Sequence, residues 1–239
     1  MSKEKNSDTI VRFSLPSRLG HGVHAVSFVL LLLTGCALVF RGFGALIGPG
    51  GLRLFSNIHH LFGVIFTFVP VIILVFFSWK NTKRWIYDIT HWNNHDVEFV
   101  KAFPKTFFGF KVETPEQGRF NGGEKINSLL QIIGCTVLII TGWIMLIGSP
   151  SQTVVGWARI IHSFTALSLG GVILAHAFLA LLHPGSKESI KGMLGGRVSR
   201  DWMLTQVYFK YLPISLNFRK RNCLFSLKTD FKLFRAILR

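Results

Sequence analysis

Four long apolar runs, separated by polar segments of unequal length, organise this chain: about 22–40, 54–79, 126–148 and 154–182. An α-helix needs roughly 20 residues to cross a hydrocarbon core of about 30 Å, and each run comes close to or exceeds that length. Backbone groups in lipid must find partners within their own segment, so such runs fold as helices. The pattern predicts an all-α membrane protein, a four-transmembrane-helix bundle. It divides the chain into an N-terminal segment 1–20, a bundle domain 21–202 with a long loop at 80–125, and a basic tail at 203–239.

Composition agrees, since 49% hydrophobic residues, 23 Phe and a mean hydropathy of +0.43 exceed what a soluble domain usually carries. The first run starts only after some twenty residues, is too long for a signal-peptide core and lacks a small-residue cleavage site, so it is expected to be a retained span. Cys36, Cys135 and Cys223 show no CxxC spacing, which suggests neither a disulfide framework nor an iron–sulfur site.

Lys and Arg fall unevenly: four in residues 1–20, eight in 80–125 and twelve after Pro184, against only Arg41 and Arg53 in 41–53 and none in 149–156. Short loops rich in basic residues stay cytoplasmic, so both termini and the loop 80–125 are expected to face the cytoplasm. This asymmetry accounts for most of the net charge of +16. Anionic lipid head groups are then its partner, and nucleic acid is not needed to explain it.

Within the apolar runs stand His21, His59, His162 and His176. A histidine in a span is a functional hypothesis by default, although one alone more often serves as a hydrogen-bonded packing residue. Depth sorts them into pairs: His59 and His162 share the outer level, His21 and His176 the inner. Fourteen residues separate His162 from His176. That spacing is about 21 Å along a helix axis and returns the side chain to within roughly 40° of its starting direction. Two bis-histidine haem sites stacked against span four would satisfy all four side chains. Gly35 and Gly63 support this by leaving space for a flat macrocycle, though glycine also serves close helix packing. His24, one turn from His21, is an alternative inner ligand. His60 is expected to face a neighbouring helix or the interface, His183 the cytoplasmic boundary, and His91 and His95 to be loop residues.

Several separate blocks then resemble one family, the cytochrome b (gamma) subunit of membrane-bound respiratory formate dehydrogenases: RFSLPSRLGH (12–21) with TG at 34–35, NIHHLFG (57–63), QGRFNGGEK (117–125), TGWIM (141–145), the His162 to His176 spacing, and SIKGMLGGRVSRDW (189–202). The resemblance covers roughly residues 10–202. It implies a bacterial inner-membrane protein with two haem b groups, the outer held by His59 and His162 and the inner by His21 and His176. Electrons would arrive from an iron–sulfur (beta) subunit fed by a catalytic (alpha) subunit and leave to a quinone, expected to be menaquinone, with proton uptake at the cytoplasmic face. Formate oxidation itself would lie outside this chain, which would act as the quinone-reducing subunit.

For the quinone site the resemblance points to Asn121 and Gly123, where the amide would meet a quinone carbonyl and the glycine would allow close approach; Glu124 would relay protons. Glu124 stands where the family is expected to have Gln, and NGG also reads as an ordinary helix entry with Asn121 as its cap. The C-terminal tail departs from the family, lacking its His-His pair. Two other readings stay open. One is the cytochrome b subunit of a membrane-bound hydrogenase or related reductase; the other is a haem-free membrane anchor or assembly protein.

Overall fold

The computed structural model describes residues 9–107, 110, 112, 115, 118–182 and 187–199. The expectations for Gln117, His183 and the 203–239 tail lie outside the described residues. In chain order the elements are β1 (Thr9–Val11), α1 (Leu15–Val39), α2 (Arg41–Ile72), a π turn (Ile73–Phe77), α3 (Trp79–Thr90), α4 (Asn94–Phe107), α5 (Gly122–Ile147), α6 (Gln152–Leu182), α7 (Lys187–Gly195) and β2 (Arg197–Ser199).

Four helices are long and apolar enough to cross a membrane: Leu15–Val39, Arg41–Phe77, Gly122–Ile147 and Gln152–Leu182. They form two hairpins, α1 packed chiefly on α2 and α5 chiefly on α6. Large apolar side chains such as Leu33, Phe76, Phe164 and Leu174 point outward and are exposed, as suits a bundle whose solvent is lipid. Between the hairpins Phe28, Phe66, Cys135, Leu138 and Leu169 form a buried plug. Leu169 lies midway along α6 between His162 and His176, so the plug separates the two histidine levels.

Two polar segments differ from expectation. Residues 41–53, predicted as a loop, are helical and merge into α2 across a break at Gly48. Gly48 has φ +65°, a left-handed conformation open to glycine, and Pro49 then starts the next helical stretch. Residues 80–125, also predicted as a loop, contain α3 and α4. Their helices follow from local signals that hydropathy does not register. Asn93 Oδ1 accepts from the Asp96 N–H at 3.1 Å while Asp96 Oδ2 accepts from the Asn93 N–H at 2.9 Å, a reciprocal cap for α4. Ile89 of α3 is fully buried.

Near the end of α2, Pro70 removes one backbone donor and the helix widens into the π turn. The Leu74 carbonyl in that turn accepts from Thr82 Oγ1 at 3.0 Å. The two ends of the bundle domain are tied by β1 and β2, antiparallel with Ile10 opposite Val198. Arg18 of α1 adds a bond from Nε to the Met193 carbonyl at 2.9 Å. In α7 the Lys191 side chain, and then the Ser199 N–H, hold the Glu188 carboxyl below its ordinary range.

The tightest helix contact lies where α5 begins. A Cβ at Gly122 would sit 2.3 Å from the Asp96 carbonyl oxygen and 2.9 Å from Val100 Cγ2, so glycine there lets α5 start directly against α4. Gly122→Ala is expected to lower stability by about 1–3 kcal/mol through overpacking. Gly118→Ala, with nothing within 4 Å, should leave thermal unfolding of the purified protein unchanged.

Candidate cofactor site

His59 on α2 and His162 on α6 face each other across the gap between the hairpins, ring centres 6.3 Å apart and planes at 68°. Each is seated by a threonine of the neighbouring helix. The His59 Nδ1 lies 2.9 Å from Thr34 Oγ1 on α1, and the His162 Nδ1 lies 2.9 Å from Thr141 Oγ1 on α5. Both threonine hydroxyls already donate along their own helices, to the Leu30 and Val137 carbonyls at 2.7 Å, so their oxygens accept and the imidazole Nδ1–H donates. This fixes the tautomer: Nε2 of both histidines carries a bare lone pair.

The glycine after each threonine makes room for the ring. A Cβ at Gly35 would lie 3.4 Å from His59 Cε1, and one at Gly142 would lie 3.3 Å from His162 Cε1. Gly35 therefore borders the His59 ring and also lines the open space beside it. Gly63 has nothing within 4 Å and borders the open space itself.

That space is a cavity of about 420 Å³ lined by Phe28, His59, Gly63, Gly142, Arg159 and His162 among others. Its size falls within the range of about 300–1,000 Å³ seen for cofactor pockets. With nitrogen–metal bonds of about 2 Å, two imidazoles bound on opposite sides of one metal have ring centres about 6 Å apart. The observed spacing, the two bare Nε2 atoms and the apolar walls thus fit a bis-histidine haem. Among the described residues no group of three or more His, Cys, Asp or Glu could hold a bare metal ion.

Among the described residues that line the cavity, Arg159, three residues before His162, is the one formally charged side chain. The sequence reading passed over it because a single arginine does not interrupt an apolar run. Arg159 is exposed, two turns into α6, and its planar guanidinium suits a carboxylate. His60 also lines the cavity and is exposed, so it borders this site as well as the lipid.

At the other end of the bundle His21 and His176 are both exposed and lie within electrostatic reach of each other. Neither makes a hydrogen bond with any described residue. His24 packs its ring on Phe66 with centroids 4.8 Å apart and planes at 27°, which places it against the central plug. His91 closes α3, stacked on Tyr87 with its Nδ1 donating to the Tyr87 carbonyl at 2.8 Å, and so belongs to the loop structure.

Asn121 and Glu124 form a capping box at the start of α5: Asn121 Oδ1 accepts from the Glu124 N–H at 2.8 Å and Glu124 Oε2 accepts from the Asn121 N–H at 2.9 Å. Among the described residues the Asn121 NH₂ group has no hydrogen-bond partner. Gly123 packs near Phe99, and the close contact between α5 and α4 is at Gly122. Next to the cap, Lys125 is buried against Asp96 at 2.7 Å and also donates to the His91 carbonyl at 2.8 Å. This pair joins the start of α5 to the start of α4.

A family model described as prokaryotic cytochrome b561 matches residues 12–196. Among curated proteins, the cytochrome b556(fdo) subunit of formate dehydrogenase from Escherichia coli (strain K12) is 29% identical over 141 residues, 59% of this chain and 62% of that protein. The cytochrome b556 subunit of formate dehydrogenase from Haemophilus influenzae is 28% identical over 147 residues, 61% of this chain and 58% of that protein. The match therefore spans less than two thirds of the length of these relatives. Four membrane-crossing helices and a prokaryotic family model make this a multi-pass protein of the bacterial inner membrane.

Proposed function

Because this chain belongs to the prokaryotic cytochrome b561 family, and so carries b-type haem, we propose that it is the membrane cytochrome b subunit of a formate dehydrogenase complex. Its role is to carry electrons from an iron–sulfur subunit at the His59 end to a quinone at the α3–α4 end. The basic α3–α4 region and both termini face the cytoplasm, following the distribution of Lys and Arg. The catalytic subunit that oxidises formate is a separate chain.

The observation that carries this reading is the His59–His162 pair, facing across an apolar cavity with both Nε2 atoms bare. Bound haem supplies a one-electron carrier whose potential depends on axial ligands and burial. His59 and His162 hold one such group, Arg159 meets its carboxylates, and the plug of Phe28, Phe66 and Leu169 keeps water from the midplane. His21 and His176 hold the second, their exposed rings having no competing protein partner. His24, one turn from His21 and stacked on Phe66, is the alternative inner ligand.

Quinone reduction to quinol takes two electrons and two protons, so the site must lie near both the His176 level and water. Asn121 meets that need at the start of α5. Its carbonyl is committed to the cap, so its NH₂ is the group that donates to a quinone carbonyl, while Glu124 lies beside it as a proton carrier. Asn121→Asp separates the two roles, because Asp caps as well as Asn but lacks the amide donor. The variant is expected to keep its haem and melting temperature while quinone-dependent haem reoxidation slows at least about tenfold, the loss of one such bond. Unchanged reoxidation would remove Asn121 from the site.

Isolated complexes provide the test of function. Formate should reduce the b-type α-band through the partner subunits; reduction by hydrogen and not by formate would assign the chain to a hydrogenase instead.

A further inference from the structure

The TG doublet occurs twice, at 34–35 in α1 and 141–142 in α5, and each copy seats the histidine of the next membrane-crossing helix, 25 and 21 residues later. Thr34 and Thr141 are 4% and 6% exposed, so no water competes for their oxygens. Each donates its hydroxyl hydrogen to a carbonyl four residues earlier and accepts the histidine Nδ1–H at 2.9 Å. Each adjoining glycine lets the Cε1 edge of the same ring close in. The two seats are the same device, once in each hairpin. His21 and His176 have no counterpart, since neither ring bonds any described residue.

We propose that Thr34 and Thr141 are paired positioning residues that lock His59 and His162 with Nε2 toward the cavity and lower the potential of the haem at this level relative to the level of His21 and His176. The inference rests on the proposed haem ligation. An imidazole that donates its far N–H is a more basic ligand, and a more basic ligand favours the oxidised, more positively charged iron. The fold thus sets two levels apart through neutral groups.

The test uses the full chain in lipid nanodiscs, titrated spectroelectrochemically. Thr34→Val and Thr141→Val keep the side-chain shape and remove the acceptor. Each is expected to move one of the two haem couples to more positive potential, raising the reduced-to-oxidised ratio at fixed potential roughly threefold. The double variant should raise it about tenfold, ~59 mV for a one-electron couple. Thr34→Ser and Thr141→Ser, which keep the hydroxyl, should titrate like the wild type.

Val variants that titrate as wild type with full haem content would overturn the proposal, as would a shift in both couples equally. If a Val variant loses haem while the Ser variant retains it with the wild-type couple, the hydroxyl seat is supported; equal loss in both overturns it. A wild-type chain that binds no haem defeats the functional reading itself, and this inference with it.

Discussion

His162→Ala is expected to leave the purified chain with half the haem of the wild type. The side chain supplies one of the two bare Nε2 atoms facing the cavity; Thr141 points its oxygen at the lost ring, and Arg159 is a cation with no lone pair to offer. His59→Ala should give the same result. His60→Ala should not, although the residue is adjacent in sequence and lines the same cavity. His21→Ala and His176→Ala should each remove the other haem, and His24→Ala should remove neither if His21 rather than His24 is the inner ligand. Haem content read from the reduced α-band distinguishes these variants. Full haem in His162→Ala would break the pairing.

The second large effect is structural and falls on Asp96. Lys125 and Asp96 are 8% and 2% exposed at their side chains, and Asp96 also takes the Asn93 N–H. Removing one member of a buried pair leaves an uncompensated charge, a loss of about 3–5 kcal/mol. Asp96→Ala is therefore expected to lower the melting temperature sharply and to loosen α4 from α5, carrying the Asn121 cap with it. The paired replacement Asp96→Leu with Lys125→Met should recover most of that loss, since an apolar pair of similar volume avoids the desolvation of two ions. Thermal unfolding in detergent measures both. A single variant as stable as the wild type would mean that the pair contributes little and that α4 is held by Gly122 packing alone.

Membrane residence made the bundle legible in the sequence. Lipid offers no partner for backbone groups, so apolar length alone fixes helix and span, and the four predicted runs correspond to α1, α2 with its π turn, α5 and α6. Depth was also legible, because helical rise converts residue number into height. What the runs do not encode is structure in polar segments. Gly48 with Pro49 breaks a helix where hydropathy reads only a loop, and α3 and α4 depend on reciprocal caps and on Ile89 reaching the bundle.

The candidate site divides in the same way. The four histidines stood out because ionisable groups are rare in lipid. Thr34 and Thr141 did not, since a threonine in a membrane helix usually bonds only its own backbone, and their second role emerges when the neighbouring helix brings a ring to the oxygen. The repeated TG was the signal that could have found them. Gly122 carries the close helix contact at the start of α5, which spacing alone does not specify because it depends on helix rotation.

The central claim, two haems held at two levels by four histidines, is tested most directly by the ratio of extracted haem to protein in the purified full-length chain. The expected result is two b-type haems per chain, titrating as two one-electron couples. One haem or none would contradict it.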